Sequence, residues 1–176
     1  MDALCTNKKR HLFLTGEKGV GKSTLLKKLL ERREERVGGF LTVKSTAVFS
    51  GRVSLHLLSL VGGEVPTEEN ILCFCPPDGD AAAAKRFDRL GCAALARGGE
   101  LLVMDELGPA EARAEAFQSA VKEALDGSVP ILGVLQKADS LLYRMVSSHP
   151  NVMLRKALST FQNKLVQLPL QPSDLN

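Results

Sequence analysis

At 176 residues and 19.0 kDa the chain has the length of one domain, enough to bury roughly 70% of its unfolded surface around one core. Apolar residues make up 44% and aromatic residues only 5%, so that core should be aliphatic, and a formal net charge of +3 is too slight to mark a nucleic-acid surface. No apolar run reaches the roughly 18 residues of a membrane span, and the charged N-terminus has no signal-like apolar segment behind it, so no membrane role is expected and the cytoplasm is the expected location.

In chain order, residues 1–10 are a polar lead-in. Leu12-Phe13-Leu14, inside the stretch His11 to Thr15, has the character of a buried parallel strand. Directly after it comes Gly16-Glu17-Lys18-Gly19-Val20-Gly21-Lys22-Ser23, a glycine, four residues, then Gly-Lys-Ser. From Thr24 to Arg36 the leucines Leu25, Leu26, Leu29 and Leu30 recur at helical spacing, so the glycine stretch joins a strand to a helix. Glycines let the backbone curl until successive N–H groups point at a phosphate, and the helix start adds unpaired N–H groups and a positive dipole end. Lys22 can then reach the β and γ phosphates of a nucleotide, and the Ser23 hydroxyl can ligate Mg²⁺. Gly16 to Thr24 is therefore the expected nucleotide-binding segment. A plain strand-to-helix turn would have no use for a lysine and a hydroxyl at those offsets.

Gly38-Gly39 is expected to end the helix near Arg36. Phe40 to Val43 has strand character, Ser50-Gly51 looks like a turn, and Arg52 to Leu60 partly alternates, which together predict an inserted β-hairpin beside the nucleotide site, with Arg52 a residue to watch. Glu64 to Glu69 is a loop. Asn70 to Cys75 is a short strand ended by the turn Pro76-Pro77-Asp78-Gly79-Asp80, and Ala81 to Leu95 is a helix that Gly91 weakens and Gly98-Gly99 stops. Leu101 to Met104 is a second core strand, Ala110 to Leu125 a helix, Val129 to Leu135 a third core strand and Ser140 to Ser147 a helix. Asn151 to Leu154 suggests a short strand, residues 157–168 a helical turn and an edge strand, and the proline-containing end a tail. Strands alternating with helices, each buried strand nearly all apolar, predict an α/β fold with a mostly parallel sheet, helices on both faces, and ligands at the C-terminal ends of strands. Cys73 and Cys75 share a strand face without the spacing of a zinc knuckle or redox pair. With Cys5 and Cys92 they are expected to be buried thiols in a reducing compartment.

The strand Leu101-Leu102-Val103-Met104 runs into Asp105 and Glu106. An unpaired buried carboxylate is costly, so a strand ending this way places its charges at the tip, which in a phosphate-loop fold faces the nucleotide. Asp105 is positioned to hold Mg²⁺ and Glu106 to orient and deprotonate an attacking water. The alternative is a pair of loop carboxylates that merely favour the start of the helix after them.

The phosphate loop, Gly38-Gly39-Phe40-Leu41-Thr42, Arg52 followed by a strand, Asp105-Glu106-Leu107-Gly108-Pro109-Ala110-Glu111 and Leu132-Gly133 together resemble the small phosphate-loop (P-loop) nucleoside-triphosphatase family that includes the vertebrate cancer-related nucleoside-triphosphatase and its archaeal and bacterial relatives. The likeness covers about residues 11–168. It implies one P-loop NTPase domain over residues 1–176 that depends on Mg²⁺ and slowly hydrolyses ATP, GTP and other nucleoside triphosphates to the diphosphate with little base preference. In that resemblance Lys22 and Glu106 are the catalytic pair, and Ser23 and Asp105 hold the metal. The chain departs from the family pattern in places. Val43-Lys44-Ser45 stands where acidic residues and an arginine are usual, Ser54-Leu55 where a Gly-Phe pair is expected after Arg52, and Asn163-Lys164 where the family has Asn-Arg. A lysine supplies a point charge without the planar guanidinium fork.

Three other readings compete. Asp105-Glu106-Leu107-Gly108 and Gln136-Lys137-Ala138-Asp139 mimic the Asp-x-x-Gly and guanine-recognition strings of a GTP switch, although Lys22 and Asp105 lie nearly twice as far apart as in a small GTPase and the asparagine is missing. Lys137 and Asp139 serve equally as helix-entry residues, with Asp139 as cap. A nucleotide kinase would use Arg86, Arg89 and Arg97 on a helix to embrace a second phosphate-bearing substrate, but would leave Glu106 without a role. A degenerate nucleotide-binding module would form a stable complex with ATP and release no phosphate.

Overall fold

Successive residues of a strand face opposite sides of a sheet, so a strand covered on both sides must be apolar throughout. β6 (Ile131–Leu135) obeys this rule along its length, β1 (His11–Thr15) at Leu12, Phe13 and Leu14, and β5 (Leu101–Leu107) from Leu101 to Met104 before its acidic tip. Phe13, Leu102, Met104, Ile131 and Leu135 enter one core, and Leu14, Leu101, Val103, Leu132 and Val134 enter the other. The computed structural model describes residues 9–31, 33–75, 82–111 and 113–157. Its other elements are α1 (Lys22–Leu30), β2 (Val37–Ser45), β3 (Val53–Ser59), β4 (Ile71–Cys75), α2 (Ala82–Ala96), a 3₁₀ turn at Pro109–Glu111, α3 (Glu115–Asp126), α4 (Leu141–Ser148) and β7 (Val152–Lys156).

The seven strands form one sheet in the order β4-β3-β2-β5-β6-β1-β7. β2, β5, β6, β1 and β7 run parallel, and β3 and β4 complete an antiparallel meander at the β2 edge. α1 covers one face with Leu25, Leu26 and Leu29. The opposite face carries α2, α3 and α4, which contribute Phe87, Phe117 and Val146 among others. The expected mostly parallel sheet with helices on both faces and an inserted hairpin is therefore what the chain forms. No helix among the described residues is long and apolar enough to cross a membrane.

Several boundaries differ from the sequence expectation, each for a physical reason. α1 ends at Leu30, and Gly38-Gly39 lies inside β2 instead of stopping the helix. A Cβ on Gly38 would sit 2.0 Å from the Gly98 carbonyl oxygen, and one on Gly39, whose φ is +86°, would sit 2.0 Å from that of Val103. The glycines thus allow β2 to lie against β5 and the turn before it. Gly91 permits contact in the same way, since a Cβ there would meet the Phe117 ring at 2.3 Å where α2 crosses α3. β5 continues past Met104 to Leu107, and the Asp105–Glu106 peptide is cis. α3 begins at Glu115 rather than Ala110, because Glu111 turns its carboxylate back to accept the Gly108 N–H at 2.9 Å. Ser140, not Asp139, caps α4 by accepting the Tyr143 N–H, while Asp139 pairs with Arg144.

β2 overshoots its neighbour β5, which pairs with it only as far as Leu41↔Asp105, and runs on to Ser45 paired with β3 alone. The hairpin thereby projects beyond the C-terminal edge of the parallel strands. A buried network braces its base: the His56 ring bonds Ser54 Oγ at 2.7 Å and Asn70 Oδ1 at 2.9 Å, and the Asn70 amide donates to the Val65 carbonyl. Ser54, which departs from the family Gly, is a member of it. Cys73 is buried, Cys75 and Cys92 are half-buried, and none of the three forms a disulfide. Cys5, Asn163-Lys164, the Pro76 to Asp80 turn and nearly all of residues 157–168 lie outside the described residues.

Candidate active site

β6 lies between β1 and β5, so the C-terminal tips of three parallel strands stand side by side. The loop after β1 carries Gly16 to Ser23, the end of β5 carries Asp105 and Glu106, and Gln136 follows β6. A cavity of about 500 Å³ opens above these tips. Its floor is built from the phosphate loop, including Gly19, Lys22 and Ser23, and one wall from Glu106, Gly108, Pro109 and Glu111. The opposite rim belongs to the hairpin. Thr42 and Lys44, two residues apart on β2 and so on one face, and Leu55, paired with Lys44 across the ladder, all line it.

The loop turns through left-handed glycines, with φ of +143° at Gly16, +82° at Gly19 and +89° at Gly21. Gly21 is the N-cap of α1 and supplies no side-chain acceptor, and the first turn holds no acidic residue. The leading N–H groups of this nine-residue helix therefore keep their anion-binding capacity. Glu17, Lys18 and Val20 occupy the outer part of the loop, and Thr24 lies on the first helical turn at the cavity margin. Lys22, only 7% exposed, donates to the Gly16 and Glu17 carbonyls at 3.1 and 3.0 Å, and its ammonium lies 3.7 Å from Glu106.

Ser23 Oγ donates to Asp105 Oδ1 at 3.0 Å, bringing together two hard oxygen atoms from α1 and β5. Asp105 is 1% exposed, and burial raises its carboxyl to about 6 against the opposing effect of the Ser23 hydrogen bond, with the neighbouring Glu106 charge adding to the rise. Glu106 is about one-third exposed, at 35%, and faces the cavity beside Lys22. Glu111 is buried more deeply, with 3% exposed, and burial pushes its carboxyl up to about 8 despite the backbone N–H bonds that favour the charged form.

The structure thus brings Lys22, Ser23, Asp105 and Glu106 to one place. Other candidates go elsewhere. Arg52 is exposed with its guanidinium 3.6 Å above the Phe74 ring at the hairpin tip, and it does not line the cavity. Arg86 donates to the Leu72 carbonyl, Arg89 to Glu69 and Arg97 to Val61 and the Glu64 carboxylate, so these three tie α2 to the meander instead of flanking the nucleotide site. Lys137 is exposed and Asp139 is paired with Arg144, whereas Gln136 lines the cavity with the phosphate loop. The guanine-recognition string is therefore split, and its first residue sits beside the loop meant for phosphates. Gln136 acquires its place only through topology, which its sequence neighbours do not reveal, whereas Glu111 closes the Asp105 to Glu111 stretch and is held locally by the Gly108 N–H.

Comparison with known proteins identifies the family and the fold. The NTPase family model matches residues 11–167. The nucleoside-triphosphatase THEP1 of Methanocaldococcus jannaschii is 31% identical over 138 residues, covering 72% of this chain and 78% of that protein. The THEP1 of Methanosarcina barkeri is 31% identical over 143 residues, covering 76% and 82%. Among solved structures, the crystal structure of THEP1 from Aquifex aeolicus superposes with a TM-score of 0.69 at 20% identity, covering 89% of this chain and 95% of the other. The solution structure of a human cancer-related nucleoside triphosphatase superposes with a TM-score of 0.64 at 25% identity, covering 89% and 93%. A match spanning nearly all of the sheet, with the phosphate loop and the Asp105-Glu106 tip inside it, places this chain in the NTPase family alongside the THEP1 nucleoside-triphosphatases.

Proposed function

We propose that the chain hydrolyses nucleoside triphosphates, ATP and GTP among them, to the diphosphate and inorganic phosphate in a Mg²⁺-dependent reaction. The observation that carries the reading is the meeting of Lys22, the Ser23–Asp105 pair and Glu106 at one cavity. The donor set fits magnesium: one hydroxyl and one carboxylate suit an ion that keeps waters and takes phosphate oxygens. Bound there by Ser23 and Asp105, the ion would supply charge neutralisation at the phosphates.

The chain's own groups do the rest. The N–H groups of the loop and of the start of α1 bind the phosphates, and Lys22 exchanges the loop carbonyls for phosphoryl oxygens. Glu106 accepts a proton from the attacking water as its oxygen bonds to the γ-phosphorus and the bond to the bridging oxygen breaks, leaving the diphosphate. The partly exposed position of Glu106 lets water reach it. Thr42, Lys44 and Leu55 limit the open side.

Phosphate release tests the reading. Purified protein with ATP, GTP, CTP or UTP should release inorganic phosphate with Mg²⁺ and no acceptor, and should stop on chelation. Release only after a nucleoside monophosphate or another acceptor is added would indicate a kinase. A stable ATP complex with no release over hours would indicate a binding module.

A further inference from the structure

We propose that Gln136 reads the terminal phosphate: its side-chain amide contacts the γ-phosphoryl group of a bound nucleotide and makes the site select triphosphates over diphosphates. The inference rests on the nucleoside-triphosphatase reading and deepens it. β6 is the strand between the phosphate-loop strand and the carboxylate strand, with Val134 opposite Leu14 on one side and Leu135 opposite Leu107 on the other. The residue that leaves its tip therefore emerges between the loop that carries Lys22 and the strand end that carries Glu106. Gln136 is held there by its backbone N–H, which donates to the Leu107 carbonyl at 2.7 Å, and its side chain lines the cavity.

Gly108 leaves the room it needs. A Cβ at Gly108 would lie 2.7 Å from Gln136 Oε1, so any larger residue there would displace the amide. That amide has two donors and one acceptor, and it makes no side-chain hydrogen bond among the described residues. Donors in a cavity that Lys22 and the start of α1 also line match a phosphoryl oxygen, and the amide carbonyl oxygen matches the hydrogen of a water. On the nucleoside-triphosphatase reading the loop and the start of α1 hold the inner phosphates, and a group at the β6 tip meets what extends beyond them. A diphosphate ends short of it.

Calorimetric titration of ADP and of the non-hydrolysable β,γ-imido analogue of ATP, each with Mg²⁺, into the parent protein, Q136A and Q136E tests this. Both variants should bind ADP within about twofold of the parent. The analogue should bind about 10-fold or more weakly to Q136A, the loss of a hydrogen bond to a charged group, and more weakly still to Q136E, whose carboxylate repels the terminal phosphate. Q136E keeps the side-chain shape, so the comparison holds even if Q136A does not fold. An unchanged preference for the analogue over ADP in the folded variants, or an equal loss of both ligands, overturns the proposal. If the parent meanwhile hydrolyses triphosphates, only the role of Gln136 falls. If the parent binds neither ligand, the nucleoside-triphosphatase reading falls with it.

Discussion

Two buried side chains of the cavity, Lys22 and Glu111, carry opposite electrostatic problems. Lys22 solves its own by donating to carbonyls of the loop it serves, so its charge is held at the site at little cost. Lys22→Ala is expected to weaken ATP and GTP binding by on the order of 1.5–3 kcal/mol, the scale of a charge-assisted hydrogen bond. Calorimetry giving the parent affinity in the variant would contradict this. Among the described residues Glu111 has no such counter-charge, and burial holds its carboxyl at about 8, well above the ordinary 4.5 of a glutamate. Between those two values the native protein retains a proton that the unfolded chain has released. The stability tied to that proton is complete below the lower value and is lost as pH rises through about 8. Glu111→Gln keeps an acceptor for the Gly108 N–H and removes the titration. Relative to the parent it should gain on the order of 2–4 kcal/mol by about pH 9 and almost nothing at about pH 4. Urea unfolding across that range checks it, and parallel pH profiles for the two proteins would count against the assignment.

Among the elements, glycine decides how closely strands and helices approach, and it is where sequence patterns misled. A Gly-Gly pair after a leucine-rich helix has the form of a helix stop, yet Gly38 and Gly39 lie inside β2 because their missing side chains admit the backbones of Gly98 and Val103. Nothing local distinguishes the two uses. The partner strand lies some 60 residues further along the chain, Gly39 standing opposite Val103. Gly91 was expected to weaken α2 through helix propensity, but it faces the Phe117 ring, itself packed edge-on against Phe40 at 5.7 Å between centroids. The two sites should respond differently to alanine. Gly39→Ala meets rigid backbone at positive φ and should cost on the order of 3 kcal/mol or more, whereas Gly91→Ala meets a ring that can shift and should cost about 1–3 kcal/mol. Denaturant midpoints of the two variants give the order directly, and a smaller loss at Gly39 than at Gly91 would refute the packing account. The periodic elements were the legible ones: the apolar runs of β1, β5 and β6 and the leucine stripe of α1 are set by burial on a fixed period, which local sequence carries.

Across the whole molecule, the phosphate loop and the Asp105-Glu106 tip could be read from the sequence because each is a short string whose residue types suit one chemistry. Their meeting could also be expected, since both end parallel strands and such strands present their C-terminal tips to one side. What could not be read was the order of those strands. Gln136 resembled part of a base-recognition string until β6 was seen to lie between β1 and β5, and Arg86, Arg89 and Arg97 resembled a phosphate clamp until α2 was seen to face the meander. The hairpin reached the site as expected, through Thr42, Lys44 and Leu55 and without Arg52. The central claim is that the two strand tips form a hydrolytic site with Glu106 as its base, and single-turnover hydrolysis by Glu106→Gln, measured beside calorimetric binding of Mg-ATP, tests it most directly. The substitution keeps size and most hydrogen-bonding capacity while removing basicity, so binding should stay within about threefold of the parent while the rate falls roughly 100-fold or more. A Glu106→Gln protein that binds Mg-ATP and hydrolyses it at the parent rate would contradict the claim.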